Sequence, residues 1–225
     1  MNYYAIIVAG GSGSRMQTSI PKQFLLLDGK PVLMHTLEAF YRCPLAPKLI
    51  LVLNIDQQAY WKELCQTYNF SIEHQLVNGG PQRFHSVKQG LEHIKKEGIV
   101  AIHDAVRPLV SQSLILKSYQ EAEKSGNCVA AIAPTDSLRK ITIGSGSSAM
   151  DRNQFALIQT PQTFRSDMLK KAYEQSFQVN FTDDASVIES AGVQINLITG
   201  ERENIKITWP EDIEIASILA KKNSR

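Results

Sequence analysis

Asp104, Arg15 and Lys22 are side chains on which chemistry could turn, and the two cations follow closely on a cluster of three glycines, Gly10, Gly11 and Gly13. The glycines let the backbone take positive φ and approach a ligand with no Cβ in the way. Successive free N–H groups in such a loop make a concave anion site. Arg15 and Lys22 place two cations within a few residues of it. Asp104, in His103-Asp104-Ala105-Val106-Arg107-Pro108, could hold a magnesium ion, which takes one or two carboxylates and fills its shell with phosphate and water oxygens. The bland alternative for Asp104 is a helix cap or an ion pair with Arg107. A glycine loop, two cations and one carboxylate together point to polyphosphate binding.

The two commonest phosphate loops are excluded. A P-loop requires G-x-x-x-x-G-K-[ST], which the chain lacks. A dinucleotide fingerprint requires G-x-G-x-x-G, and counting from Gly11 puts Met16 where the third glycine belongs. What remains is G-G-x-G-x-R-M followed by Pro21-Lys22-Gln23.

The elements that must carry these residues alternate. Tyr3 to Ala9 is a β-branched and aromatic run that reads as a buried strand. Further strands are expected at Leu49–Leu53, His74–Val77, Ile99–Ile102, Cys128–Ala133 and Val193–Ile198, with a short extended piece at Ile205–Thr208. Helices are expected from Pro31, suited to a first turn, and at Ala59–Tyr68, from Gln82, at Ser111–Ser125, Ser166–Ser176, Asp183–Ala191 and Glu211–Lys221. Alternating βαβα implies a Rossmann-like, mainly parallel α/β sheet with helices on both faces. Ligands of such sheets sit beyond the carboxyl ends of the strands. The Gly10 loop, Asp104 and the segment after Ala133 all fall there. Ser137–Ile143 and Ala149–Gln159, joined by a Gly/Ser tip, break the alternation. They read as a protruding β-hairpin arm, residues 135–158, within a single domain spanning 1–225.

The combination AGGSGSRM…PKQ resembles the signature of sugar-phosphate nucleotidyltransferases. The later motifs narrow the resemblance to the 2-C-methyl-D-erythritol 4-phosphate cytidylyltransferase family of non-mevalonate isoprenoid biosynthesis. It covers nearly the whole chain. HDAVRP is similar to that family's HDAARP-like motif, which implies metal and substrate binding by Asp104, nucleotide contact at Ala105 and substrate binding by Arg107. Gly79, Gly80, Arg83 and Ser86 match its GG-x-x-R-x-x-S-V segment, which reads the pyrimidine; Pro81-Gln82 replaces an acidic pair common there. Ala9 with Gly10, Gly11 and Gly13 would hold the nucleotide, and Arg15, Lys22 and Lys206 would be catalytic. Ser137, Arg152, Thr160 and Thr182 match the acceptor side, with Arg152 reaching the acceptor phosphate from a partner subunit's arm. The implied reaction is transfer of CMP from CTP to a sugar-alcohol phosphate, with Mg²⁺, in a homodimer. A ribitol 5-phosphate cytidylyltransferase shares the glycine loop, PKQ and HDAVRP; Asp151-Arg152 and the compact C-terminus favour the erythritol acceptor. A regulatory module that binds nucleotide without turnover is disfavoured by intact Arg15, Lys22, Asp104 and Lys206.

Composition agrees with a globular enzyme. The 225 residues are 43% hydrophobic and 20% charged, with net charge +2, so no broad nucleic-acid or acidic-membrane signature exists. Cys43, Cys65 and Cys128 form no C-x-x-C pair and read as reduced, apolar packing residues of a cytoplasmic protein. The first strand follows no basic and apolar leader, and no apolar run reaches the ~20 residues of a membrane span. The five histidines lack metal-ligand spacing and read as structural, with His103 placed to orient the metal loop.

Overall fold

The structure, a computed structural model, describes residues 1–9 and 20–223. Gly10, Gly11, Gly13 and Arg15 lie outside the described residues. Eleven strands and seven α-helices are assigned among the described residues. In chain order they run β1 (Tyr3–Val8), β2 (Leu26–Leu27), β3 (Lys30–Pro31), α1 (Val32–Tyr41), β4 (Lys48–Leu53) and α2 (Ile55–Thr67). There follow β5 (Gln75–Asn78), α3 (Arg83–Glu92), β6 (Ile99–Asp104), α4 (Gln112–Ser125), β7 (Asn127–Ile132), β8 (Leu138–Thr142) and β9 (Gly146–Met150). The chain closes with β10 (Leu157–Arg165), α5 (Ser166–Ala172), α6 (Asp184–Ser190), β11 (Leu197–Thr199) and α7 (Glu211–Asn223).

The main sheet has seven strands in the order β11-β7-β10-β6-β1-β4-β5. All its neighbours pair in parallel except β10, which runs antiparallel to both β6 and β7. Strand side chains alternate between faces, and β1 divides the core accordingly. Ala5 and Ile7 pack with Leu37 and Phe40 of α1, Trp61 of α2 and Tyr119 of α4. Tyr4 and Ile6 pack with Phe84 and Val87 of α3, Leu169 of α5 and Ile188 of α6. A sheet apolar on both sides must be covered on both sides, which is why its strands read as continuous apolar runs.

The exits of the parallel strands meet at one edge. Val8 at the end of β1 is in register with Asp104 at the end of β6, and Leu53 of β4 with Asn78 of β5. The chain therefore leaves β1 toward residue 10 directly beside Asp104.

Several boundaries differ from expectation. The second arm strand is not Ala149–Gln159: β9 ends at Met150, and Leu157–Arg165 is a central strand of the main sheet. Pro161 hid it, because proline cannot donate to a ladder and normally demotes a run to an edge. In the fold Pro161 sits at a register shift between Ile158 and Gln162. The arm sheet is β8 with β9 alone. The last strand is Leu197–Thr199 rather than Val193–Ile198; Val193 and Ile195 pack onto the core without pairing as strand. Residues 205–208 form no strand, and Ile207 N–H instead donates to the Val106 carbonyl at 2.9 Å. α2 starts one turn before Ala59, because Asn54 caps it by accepting from the Asp56 N–H. α5 stops at Ala172 instead of running to Ser176. No helix among the described residues is long and apolar enough to cross a membrane.

Candidate active site

Asp104 is the hub. It ends β6 with its side chain 12% exposed. Lys206 Nζ lies 2.9 Å from Oδ2, Arg107 Nε 3.4 Å from Oδ2 and Arg83 Nε 3.7 Å from Oδ1. Burial alone would raise the carboxyl, but Arg83, Lys206 and Arg107 outweigh it and hold the group well below the usual carboxylate range. Asp104 is therefore ionised at neutral pH. Among the described residues Oδ1 has only a long contact to Arg83 and retains acceptor capacity. No group of three or more His, Cys, Asp or Glu among the described residues could hold a metal unaided. A single carboxylate nevertheless suits magnesium, which draws most of its ligands from phosphate and water.

Arg107 and Arg83 are each held by a second partner. Arg107 Nη1 donates to the Asn204 carbonyl at 2.8 Å, tying the turn after β6 to the segment that carries Lys206. Burial pulls the Arg107 guanidinium down and Asp104 opposes that. Arg83, first residue of α3, donates from Nη2 to Asp184 Oδ2 at 2.6 Å. Burial works against its charge, but Asp184 and Asp104 more than compensate and raise it further. Lys22 is almost buried and donates to the Ile207 carbonyl at 3.1 Å, next to Lys206. Arg83, Arg107 and Lys206 thus converge on Asp104, with Asp184 a second carboxylate against Arg83, and this concentration of cations suits an anionic ligand.

The second glycine turn is also in place. Gly79 N–H donates to the Leu53 carbonyl at 2.8 Å, and Gly80 N–H to Ser86 Oγ at 3.0 Å. A Cβ on Gly80 would stand 2.4 Å from the His85 Cβ, so only glycine fits. Ala9 and Ala105 are buried; Ala105 N–H donates to the Val8 carbonyl at 3.0 Å, and the Ala105 carbonyl accepts from Thr36 Oγ1 at 2.8 Å. Thr160, on β10, accepts the Asp104 N–H at 3.1 Å. Of the residues placed on the acceptor side, Thr160 is thus brought to the hub. Ser137 and Arg152 lie at the base of the arm, both exposed, with Arg152 Nη1 donating to the Thr135 carbonyl at 2.6 Å. Thr182 is exposed just before α6, whose cap is Asp183, held reciprocally with Ser186.

Asp184 escaped the sequence reading. It is fully buried, and Tyr173 donates to its Oδ1 at 2.6 Å. The signal was the doubled carboxylate Asp183-Asp184: one caps a helix, and the other needs a cation. Gln162 secures the same corner, donating to Asp183 Oδ2 at 2.9 Å and accepting from the Ala185 N–H at 2.8 Å.

The protein family described as 2-C-methyl-D-erythritol 4-phosphate cytidylyltransferase matches residues 3–222. The chain belongs to this family. Relatives of that name from Phocaeicola vulgatus and Bacteroides fragilis are 49% and 51% identical, over 97% and 96% of this chain and 100% and 98% of theirs. Among solved structures, 4-diphosphocytidyl-2C-methyl-D-erythritol synthase from Anaerococcus prevotii superposes with a TM-score of 0.83 at 29% identity, covering 98% of this chain and 96% of that one. The Thermus thermophilus cytidylyltransferase gives 0.78 at 27% identity, covering 98% and 100%. The α/β sheet is therefore that of the family, and the chain is a nucleotidyltransferase.

Proposed function

We propose that this protein transfers CMP from CTP to 2-C-methyl-D-erythritol 4-phosphate, releasing pyrophosphate and giving 4-diphosphocytidyl-2-C-methyl-D-erythritol. Membership of the family over almost its full length carries the reading. The Asp104 cluster at the shared exit of β1 and β6 is consistent with it.

An oxygen of the acceptor phosphate attacks the α-phosphorus of CTP in line. That oxygen is ionised at neutral pH, so no general base is required. The obstacle is repulsion between two anions and the charge that builds as the bond exchanges. Residues of this chain answer it by position and charge. Arg15 and Lys22 stabilise the charge on the α-phosphate. Lys206, 2.9 Å from Asp104 Oδ2, adds a third cation beside the nucleotide phosphates. Gly79, Gly80 and Ser86 shape the base site; with the Gly79 and Gly80 N–H groups committed to Leu53 and Ser86, the remaining main-chain groups of this turn read the base edge by hydrogen bonds at fixed geometry. Asp104 would hold Mg²⁺, which when bound neutralises phosphate charge as a Lewis acid.

The arm is the proposed dimer element. Ile141 and Ile143 of the arm and Phe155, Leu157 and Ile158, where the chain returns to the main sheet, are exposed at 79%, 100%, 41%, 48% and 40%, an apolar surface suited to a second copy. Arg152 at its base would then serve the partner's acceptor phosphate.

The test is pyrophosphate release from CTP and Mg²⁺ with 2-C-methyl-D-erythritol 4-phosphate and, in parallel, ribitol 5-phosphate. The erythritol acceptor is expected to react faster. Faster release with ribitol 5-phosphate would overturn the choice of acceptor, and nucleotide binding without release would overturn the activity.

A further inference from the structure

Residues 201–208 carry Lys206 yet lie in neither helix nor strand, so no regular ladder of main-chain bonds fixes them. Buried main-chain polar groups of such a segment need partners from elsewhere in the chain. Gln159 of β10, 5% exposed, supplies them. Its Nε2 donates to the Glu201 carbonyl at 2.8 Å and, more loosely, to the Asn204 carbonyl at 3.4 Å. Its Oε1 accepts the Glu201 N–H at 3.1 Å. A side-chain amide carries a donor and an acceptor side by side. Here the two pair with the C=O and N–H of one residue, as a neighbouring strand would. An irregularity in β10 makes the reach possible. Its register with β7 breaks between Ile158 and Gln162, and a bulge of this kind re-aims the side chains within it. Gly200 completes the fit. Its N–H donates to the Ala131 carbonyl at 2.7 Å, and a Cβ there would collide with Gln159 Oε1.

We infer that Gln159 is a positioning residue for Lys206. Its amide fixes the start of the segment, where the Glu201 carboxylate is also held by the Ser111 N–H at 3.2 Å. The end is fixed by the Ile207 N–H on the Val106 carbonyl at 2.9 Å. Between these ties the Asn204 carbonyl accepts from Arg107 Nη1, and Lys206 reaches Asp104. Without the first tie, residues 201–206 would hang from Arg107 and Val106 alone, and the ammonium of Lys206 would wander. Both ends of the Gln159 amide are engaged inside the protein, so the residue acts on the reaction only through the segment it holds. The inference rests on the role proposed above for Lys206.

Two measurements on the full-length protein test it. Gln159→Met keeps the side chain's length and removes its hydrogen bonds. In amide hydrogen exchange without ligand, Gln159→Met should speed exchange at both Glu201 and Ile207 by about tenfold or more and leave the amides of β6 unchanged. Faster exchange at Glu201 with none at Ile207 would show a tie too local to reach Lys206, and would overturn the inference whatever the substrate proves to be. In turnover assays with CTP, Mg²⁺ and 2-C-methyl-D-erythritol 4-phosphate, Gln159→Met should lower kcat by about tenfold, since small misplacements of a charged group are costly. The acceptor KM should stay within about twofold, because no contact with the acceptor is lost. In a Lys206→Ala background the same substitution should cost at most about twofold more, as expected when one residue acts through the other. A merely structural role would carry the full loss into that background, and such an additive result, or an unchanged kcat in the single variant, would overturn the inference. Gly200→Ala displaces the same amide and should give the same pattern, so the test does not depend on one variant folding. Failure of the wild-type protein to use this acceptor would overturn the functional reading instead, while the exchange measurement still decides the tie.

Discussion

Asp184→Asn removes one charge from the ion pair that anchors Arg83 without changing the side chain's shape. The native carboxylate accepts from Arg83 Nη2 on Oδ2 and from the Tyr173 hydroxyl on Oδ1, each at 2.6 Å. An amide keeps one acceptor and turns an N–H toward the other donor, so one donor loses its partner. Breaking a buried pair costs about 3–5 kcal/mol. Here the figure is discounted because the Arg83 side chain is 26% exposed and keeps Asp104 at 3.7 Å, leaving an expected loss of about 2–3 kcal/mol. For a chain of this length, that lowers the melting temperature by about 5–10 °C. Urea unfolding followed by circular dichroism should show a lower midpoint and an unchanged slope. Tyr173→Phe, which leaves the ion pair intact, should cost only about 1 kcal/mol. A loss under about 0.5 kcal/mol for Asp184→Asn, or a larger loss for Tyr173→Phe, would refute the claim that the Arg83 pair anchors this corner.

Other outcomes follow from the same geometry. Gly80→Ala puts a Cβ against the first turn of α3 and should raise the KM for CTP at least about tenfold, read in initial-rate assays with saturating acceptor. Arg15→Ala and Lys22→Ala should each cut turnover by at least about 10²-fold, and near-native turnover in both would reject their charge role. Arg152→Ala should chiefly raise the acceptor KM. Mixing it with inactive Asp104→Asn should restore activity only if the arm serves the partner's site. An unfolded histidine takes up its proton near pH 6.5, whereas His103 takes it up near 4 when folded. Its contribution to stability is therefore complete above about pH 6.5 and is lost as the pH falls toward 4. His103→Phe should flatten the acid limb of a stability profile measured by denaturant midpoints, and an unaltered limb would remove His103 as its source.

Much of this was legible from the chain because two signals coincide. β-Branched runs without alternation announce strands covered on both faces, and so β1, β4, β6 and β7 were found close to their ends. Asp104 stood out as a carboxylate directly after a buried strand, whereas Arg83, Arg107 and Lys206 stood out only through their match to the family's motifs. β10 was misplaced because its proline breaks the pattern, and only the register shift around residue 161 explains how a central strand tolerates it. Asp184 was missed for another reason. Its partner Arg83 is 101 residues away, and nothing local distinguishes a carboxylate that caps a helix from one that is buried against a distant guanidinium. The precise stop of α5 and the unpaired course of residues 205–208 likewise depend on tertiary contacts that no local window contains.

The late position of Lys206 has a consequence for how the protein comes into being. The Asn204–Ile207 stretch docks on Val106, Arg107 and Lys22, and it supplies the shortest contact to Asp104. A nascent chain on the ribosome can lay down β1, β4, β5, β6 and β7 long before this stretch emerges. The proposed catalytic centre thus lacks Lys206 until the last part of the chain is made, and a product terminated before it should keep most of the sheet while remaining inert toward nucleotide.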